Sequence, residues 1–271
     1  MDLNTVEAVL KPASRADLQA FQPGDVWLAG GTWLFSEPQR HLRRLIDLST
    51  LGWPPIEASE HGLSIAATCP VATLEAFEPR VEWLAGQLIS ACCHAFWASF
   101  KIWNMATVGG NLCLALPAGP MISLAVALDG LCRIWTPDGD ERRVPAAEFV
   151  LGPQRTVLRP GELLRGVDIA MSALRRRAAF RQTSLTPLGR SAALLIGTRD
   201  VVGAVRLTVT AATPHPVVIV FDDMPDAATL RCRLRKTIPL EQYFDDPHGS
   251  PDWRQHLTQE FAEEIRAELA S

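Results

Sequence analysis

The 271-residue sequence contains six cysteines, yet no two of them are spaced C-x-x-C. Closely spaced cysteine pairs mark structural zinc sites and many iron–sulfur clusters, so neither kind of centre is predicted in this chain. Cys92, Cys93 and His94 form one dense cluster, but successive helical positions point about 100° apart and are poorly placed to hold a single ion. We interpret the cysteines as small buried hydrophobic residues.

Long apolar runs and an excess of positive charge are missing as well. No stretch reaches the roughly 18 uncharged apolar residues of a membrane-spanning helix, and the start MDLNTVEAVLKPASRADL lacks the basic and apolar regions of a secretory signal. We therefore expect no membrane span and a cytoplasmic location. The formal net charge of −4 argues against nucleic acid as a partner.

The common catalytic motifs are also absent. The sequence has no G-x-G-x-x-G fingerprint, no G-x-x-x-x-G-K-[ST] phosphate loop and no G-x-S-x-G nucleophile elbow. Its six histidines show no i, i+4 pairing suited to a metal, and no acid–base pair of carboxylates stands out. Such a protein is expected to rely on the chemistry of a bound cofactor.

Two glycine turns are the main positive signal. Residues 29–34 read AGGTWL and residues 107–111 read TVGGN, each next to an apolar segment. Glycine lacks a Cβ atom, so backbone N–H groups in such turns can converge on an anion such as a pyrophosphate. Thr32, Thr107 and Asn111 could add side-chain hydrogen bonds. A pair of ordinary turns is the alternative at this point.

The hydrophobic pattern predicts an α+β protein in two parts, with a boundary near residue 170. Helical spacing of apolar residues predicts one long buried helix over residues 81–103. The second part is predicted to contain an amphipathic helix over residues 252–269 and strands over residues 178–184, 192–197, 204–211 and 217–221. The basic runs at 175–177 and 231–236 are interpreted as solvated turn or strand faces.

The order and separation of the two glycine turns resemble the FAD-binding medium subunits of the molybdenum hydroxylases, the xanthine dehydrogenase, carbon monoxide dehydrogenase and aldehyde oxidase family. That family carries an AGGT- or AGGH-type loop early and a T-[IV]-G-G-N loop after an apolar helix. Other segments are similar to family motifs in the same order along the chain: KPASRADL at 11–18, LIDL at 45–48, IAAT at 65–68, RPGELLRGVDI at 159–169 and HGSPDWRQHL at 248–257.

The resemblance implies an α+β fold. Residues 1–170 would form a PCMH-type FAD-binding domain of two α+β subdomains, and residues 171–271 a small C-terminal domain like that of the CO dehydrogenase flavoprotein. FAD would be bound non-covalently between the subdomains. The cofactor-binding residues that match family segments are Trp27, Leu28, Ala29, Gly30, Gly31, Thr32, Trp33, Leu34, Trp97, Thr107, Val108, Gly109, Gly110, Asn111, Leu164 and Gln182.

The sequence departs from the family pattern at several positions. Pro120 stands where relatives often carry an Asp, Gln182 about where a Lys is common, and Arg190 where an Asp is frequent. Trp33 replaces a small or polar residue. Contacts to the ribityl chain or the ring are therefore in question, whereas the pyrophosphate segments are intact.

The resemblance implies an oxidoreductase subunit that transfers electrons and contributes no catalytic residue or metal ligand of its own. Its partners would be a large molybdopterin-binding subunit and a small subunit with [2Fe–2S] clusters, in a heterotrimer or a dimer of heterotrimers. Electrons would leave FAD for an external acceptor such as NAD, oxygen, a quinone or a cytochrome.

Two alternatives are open at this stage. The chain could be a scaffold with a degraded flavin site that bridges the molybdenum and iron–sulfur subunits, as the departures at Pro120 and Gln182 suggest. It could also be another FAD enzyme of the same fold class, such as a MurB-like reductase or a covalent-flavin oxidase. A MurB-like reductase needs a proton donor in its own substrate domain, and a covalent-flavin oxidase usually needs a His in the first loop. Neither feature is evident in the sequence.

Overall fold

The computed structural model describes residues 3–271, so the first two residues of the predicted FAD-binding domain lie outside it. The strands are β1 (Ala8–Leu10), β2 (Asp25–Leu28), β3 (Arg44–Asp47), β4 (Ile56–Ala58), β5 (Gly62–Ala66), β6 (Leu131–Trp135), β7 (Glu141–Pro145), β8 (Val150–Gly152), β9 (Arg155–Thr156), β10 (Leu163–Ala170), β11 (Arg177–Ser184), β12 (Ser191–Arg199), β13 (Val205–Thr210) and β14 (Val217–Phe221). The helices are α1 (Val71–Glu75), α2 (Gln87–Ala95), α3 (Phe100–Met105), α4 (Val108–Leu114), α5 (Pro120–Ala127), α6 (Ala146–Phe149), α7 (Met171–Leu174), α8 (Ala227–Thr237) and α9 (Pro251–Ala270).

The strands form three principal sheets. A parallel sheet has the order β1–β3–β2, and an antiparallel sheet has the order β4–β5–β10–β6–β7. The third sheet is antiparallel in the order β11–β12–β13–β14, and β8 pairs with β9 in a short ribbon. None of the helices within residues 3–271 has the length and apolar character that a bilayer crossing requires.

The largest core joins the five-stranded sheet, the helices around it and one face of the four-stranded sheet. Every residue of α5 is buried in or beside this core, and Leu194 and Ile196 of β12 reach it from the third sheet. On the opposite face of that sheet, Leu195 packs with residues of α8 and α9. Because β12 is buried on both faces, its sequence is apolar at successive positions and does not alternate.

The single helix predicted over residues 81–103 is wrong. The structure has a 3₁₀ turn at Leu84–Gly86, then α2, a bend and the separate helix α3. At Phe96 the backbone leaves the helical region, with φ −84° and ψ 81°, and its C=O accepts a hydrogen bond from Trp103 Nε1 at 2.9 Å. The residues of this bend are also apolar, because Phe96, Trp97 and Ala98 line a cavity. The apolar pattern in the sequence therefore does not show where the helix ends.

The second half agrees with the predicted strands but contains an unpredicted helix. The basic run at 231–236 lies in α8 and not in a turn or strand, with Leu230 and Leu234 buried one turn apart. The terminal helix forms as predicted. Its buried positions include Arg254 and Thr258 as well as the apolar Ile265 and Leu269.

Candidate functional site

The first glycine turn follows β2 and packs tightly against the end of α3. A Cβ atom on Gly30 would lie 1.7 Å from the backbone O of Met105, so only glycine fits there. Gly31 has φ +68°, the left-handed region that glycine adopts without strain. The close approach at Gly30 joins the two glycine segments, because Met105 lies two residues before Thr107.

The second glycine segment begins a helix, where a turn was predicted. Thr107 is the N-cap of α4, and its Oγ1 accepts a hydrogen bond from Gly110 N at 3.0 Å. The N–H groups of Val108 and Gly109 donate to the backbone O atoms of Cys69 and Ala67, both at 2.9 Å. A Cβ atom on Gly109 would lie 2.4 Å from that of Ala67, so this glycine is required by protein packing.

Two adjoining cavities open where these segments meet. The first-loop cavity, of about 260 Å³, is lined by Val26, Trp27, Leu28, Ala29, Gly30, Gly31, Thr32, Trp33, Leu34, Phe96, Ala106, Thr107, Gly110, Asn111, Cys113 and Leu114. The junction cavity, of about 460 Å³, is lined by Thr32, Trp33, Ala95, Phe96, Trp97, Ala98, Ile102, Asn111, Leu114, Leu116, Ala118, Gly119, Leu188, Gly189, Arg190 and His248. They share five lining residues and form one cleft, of the size that small-molecule ligands occupy.

The first loop carries a run of unused hydrogen-bond donors at the cleft. Within the described residues, the backbone N–H groups of Gly30, Gly31, Thr32 and Trp33 have no protein acceptor. In the second segment the N–H groups of residues 108–111 all have protein acceptors, and Asn111 Oδ1 accepts from Met121 N at 3.1 Å. The first loop therefore has free donors for binding an anion, whereas the second segment lines the cavity.

The walls of the cleft carry little charge. Among the lining residues, no carboxylate faces either cavity, and Arg190 and His248 at the far end of the junction cavity are the ionisable side chains besides Cys113. The remaining walls are mostly apolar, with the aromatic rings of Trp33, Phe96 and Trp97 among them. The cleft suits a ligand with an anionic group at one end and a flat apolar body at the other.

The predicted site residues divide into two groups. Those that line the cleft are Trp27, Leu28, Ala29, Gly30, Gly31, Thr32, Trp33, Leu34, Trp97, Thr107, Gly110 and Asn111. Val108 and Gly109 are buried behind the wall, and Leu164 lies in the main core. Gln182 Nε2 donates to Ser191 Oγ at 3.1 Å and does not line the cleft.

Several lining residues carried no sequence signal. Phe96, Leu114 and Leu188 look like ordinary core positions, and the structure exposes them to the cavities. Arg190 was noted only as a departure from a family pattern, and its position in a turn gave no reason to place it at the cleft. Arg254 was missed entirely; it is 1% exposed and bonds to the backbone O atoms of Gly249, Ala192 and Ala211 and to the carboxylate of Asp246.

The strand before the first loop is hydrogen-bonded to Glu162, whose buried carboxylate forms an ion pair with Arg142. Trp27 Nε1 donates to the backbone O of Glu162 at 2.9 Å. The carboxylate of Glu162 accepts from Arg142 Nε at 2.8 Å and from Arg159 N at 2.8 Å. The hydrogen bonds from Arg142 are the main cause that lowers the pKa of Glu162, and burial opposes them. Glu162 is thus anionic at neutral pH and fixes the strand that leads into the cleft.

The cysteines behave as the predicted buried hydrophobes, apart from Cys113 and Cys232, which are exposed. Burial raises the pKa of the Cys69 and Cys132 thiols to about 12, so these groups are protonated and unreactive at neutral pH. No group of three or more His, Cys, Asp or Glu side chains within residues 3–271 could hold a metal ion.

The family described as FAD binding domain in molybdopterin dehydrogenase matches residues 5–171, the part that builds both glycine segments. The chain belongs to this family. The family predicted from the glycine motifs is therefore confirmed, and so is FAD as the cofactor of that family.

Xanthine dehydrogenases are among the known proteins that this FAD-binding family member resembles in sequence. It is 29% identical to xanthine dehydrogenase of Oryza sativa subsp. japonica over 118 residues, 41% of this chain and 9% of that protein. It is 28% identical to xanthine dehydrogenase 1 of Arabidopsis thaliana over 162 residues, 56% of this chain and 12% of that protein. The chain thus spans about a tenth of the length of these curated relatives.

Solved structures agree with the fold of this family member over almost its entire length. Quinoline 2-oxidoreductase from Pseudomonas putida 86 superposes with a TM-score of 0.82 at 22% identity, over 100% of this chain and 98% of that one. Carbon monoxide dehydrogenase from Hydrogenophaga pseudoflava gives a TM-score of 0.79 at 19% identity, over 98% and 97%. The predicted fold class is confirmed by these likenesses.

Proposed function

We propose that the chain is the FAD-binding electron-transfer subunit of a heteromeric molybdenum hydroxylase. One observation carries the proposal: the two glycine segments of a chain in this FAD-binding family meet to form a single cleft. At one end of that cleft, four N–H groups have no protein acceptor. FAD, when bound, would accept electrons singly from an iron–sulfur carrier and pass them on singly or as a pair.

The residues of the cleft fit such a cofactor. The N–H groups of Gly30, Gly31, Thr32 and Trp33 would bind the pyrophosphate, because converging backbone donors stabilise a phosphate charge without needing a cationic side chain. Gly110 leaves space beside them, since an added Cβ atom there would meet only Thr107 Oγ1 within 4 Å, at 3.0 Å. The apolar junction cavity would exclude water around the flavin ring and hold its plane. In this proposal none of the described residues needs to donate a proton in the hydroxylation.

The chain is divided, in this proposal, into a FAD-binding domain of residues 1–170 and a C-terminal domain of residues 171–271. The extent of the family match, residues 5–171, supports this division, as does the separate four-stranded sheet that follows it. Four of the predicted site residues would then stabilise the site without lining the cleft: Val108, Gly109, Leu164 and Gln182.

The proposed partners are a large molybdopterin subunit and a small [2Fe–2S] subunit, in a heterotrimer or a dimer of heterotrimers, with an external acceptor of electrons. The likeness in fold to a structure described as Cu,Mo-CO dehydrogenase, at a TM-score of 0.76, supports the proposal of a molybdenum subunit. The cytoplasmic location stays a prediction.

The scaffold alternative is favoured by Pro120 and Gln182, the positions at which family carboxylate and lysine groups are replaced. Neither residue lines the cleft: Pro120 is the first residue of α5, and Gln182 faces Ser191. Titration of the full chain with FAD separates the two proposals. The electron-transfer proposal expects one FAD per chain, and a folded chain that takes up no FAD, alone or in its native assembly, would favour the scaffold.

A further inference from the structure

The residues that line the cleft include a permanent positive charge and no negative one. Arg190, in the turn between β11 and β12, is the one permanently charged side chain among the described residues that line the first-loop and junction cavities. Its guanidinium makes no hydrogen bond or ion pair within residues 3–271. Since arginine stays protonated in proteins, the junction cavity contains a fixed positive charge that no carboxylate of the cleft neutralises.

The surroundings of Arg190 leave this charge effective. A third cavity of about 250 Å³ adjoins the junction cavity, and Arg190, His248, Asp246 and Arg254 are among its lining residues. The carboxylate of Asp246 is the negative group there, and it already accepts from the Arg254 guanidinium and from His248 N at 2.9 Å. The buried Arg254 therefore neutralises Asp246, and Arg190 is left without a counter-charge.

Arg190 is itself exposed, but much of the cavity wall beside it is apolar. The junction cavity is walled near Arg190 by Leu188 and Leu116, and its other walls include Phe96, Trp97 and Ile102. A ligand that fills the junction cavity displaces water from these apolar walls, which lowers the effective dielectric constant around the ligand and strengthens any interaction between the guanidinium and a charge that develops there. A ligand that gains negative charge there would be stabilised more than the same ligand without that charge.

We infer that Arg190 raises the reduction potential of FAD held in this cleft. The inference rests on the proposed function. In the couple FAD + 2e⁻ + H⁺ → FADH⁻, the electrons come from a one-electron carrier on a partner chain and the proton comes from water. The product carries one more negative charge than the oxidised form, so a fixed cation binds the reduced form more tightly and shifts the couple toward reduction.

The test is the midpoint potential of FAD in the full chain, measured anaerobically against a reference dye. R190Q and R190A are expected to weaken binding of reduced FAD relative to oxidised FAD at least tenfold, which lowers a two-electron potential by about 30 mV. R190K keeps the charge and is expected to retain most of the wild-type potential. R233A removes a charge that is also exposed but lies on α8, outside the cleft, and is expected to leave the potential unchanged.

Other results would overturn the inference. A potential in R190Q and R190A that equals or exceeds that of the wild type, with FAD bound and thermal stability retained, removes Arg190 from this role and leaves the proposed function intact. An equal fall of the midpoint potential in R233A would also overturn the inference, because the potential would then depend on the net charge of the protein and not on the position of Arg190. A folded wild-type chain that binds no FAD contradicts the proposed function itself.

Discussion

At the scale of single residues, the glycines of the site have different reasons for their identity. Gly30 and Gly109 are required by the backbones of Met105 and Ala67, which they approach too closely for any side chain. Gly110 lines the first-loop cavity, and an added Cβ atom there would meet Thr107 Oγ1 at 3.0 Å but no backbone outside its own helix, so this position is compatible with an approaching ligand. The sequence pattern made these glycines look alike, because it records the absence of a Cβ atom but not what occupies the space.

Cys113 provides a reporter of ligand binding in the cleft. It is exposed and lines the first-loop cavity, whereas the exposed Cys232 lies on α8. Desolvation raises the pKa of the exposed Cys113 thiol to about 12, so its alkylation is slow even without ligand. We expect saturating FAD to slow it at least several-fold further and to leave Cys232 unchanged, as measured by mass spectrometry of maleimide-treated protein. Equal protection of both thiols, or of neither, would contradict the assignment of the cofactor to this cavity.

Glu162 gives the site a pH dependence. Its pKa is lowered from 4.5, mainly by hydrogen bonds from Arg142, so its contribution to stability is fully present above pH 4.5 and is lost as the pH falls through the lowered value. E162Q is expected to lower the free energy of unfolding by about 2 kcal/mol at pH 7, the worth of charge-assisted hydrogen bonds. Urea unfolding from pH 7 to well below pH 4 should show the difference in unfolding free energy between wild type and E162Q narrowing below pH 4.5. A difference that does not change with pH would refute the ion pair's role.

At the scale of elements, periodicity predicted strands well and failed where apolar residues face a cavity. β12 and β14 contain the predicted strands at residues 192–197 and 217–221, because buried strands leave uninterrupted apolar runs between turns. The helix predicted over residues 81–103 breaks at Phe96, since the residues there line the cleft. Periodicity cannot distinguish an apolar residue that packs on protein from one that awaits a ligand.

The basic segment was misassigned for a related reason. Only Leu230 and Leu234 of α8 are buried, so its apolar stripe is too narrow to outweigh the charges between them. The burial of Arg254 was not predicted, because a charged residue on an amphipathic helix is normally expected at the surface. Its buried position depends on carbonyl groups of Ala192 and Ala211 that are more than 40 residues away along the chain.

Asp129 is expected to stabilise the contact between α5 and the third sheet. Its Oδ2 lies 2.7 Å from Arg176 NH1 and 3.1 Å from Arg206 Nε, at the end of α5. D129N removes the charge while tolerating the residue's φ of +51°. Because these side chains are partly exposed, we expect a loss of about 1 kcal/mol and a fall of a few °C in Tm by calorimetry. A Tm unchanged at low ionic strength would show that the pairs contribute nothing.

At the scale of the whole molecule, one core links the FAD-binding part of the chain to the four-stranded sheet. Leu194 and Ile196 of β12 share that core with α5, and Ser123 Oγ lies 2.7 Å from Thr210 Oγ1 across the contact. The wall of the cleft at Leu188, Gly189 and Arg190 comes from the second part. The family resemblance predicted two parts and a flavin site, but the contribution of this turn depends on tertiary packing and had no sequence signal.

The central claim is that the cleft between the glycine segments holds FAD. Its most direct test is the FAD content of the full chain purified in its native assembly, compared between wild type, G110W and V201W. Gly110 lines the first-loop cavity, so the indole of G110W would fill the proposed pyrophosphate site. Val201 is 96% exposed in the loop after β12 and supplies a matched control.

We expect one FAD per chain in the wild type and in V201W, and less than a tenth of that in G110W, with circular dichroism and Tm of the variants close to those of the wild type. Full FAD occupancy in a folded G110W, or no FAD in the folded wild type, would contradict the account.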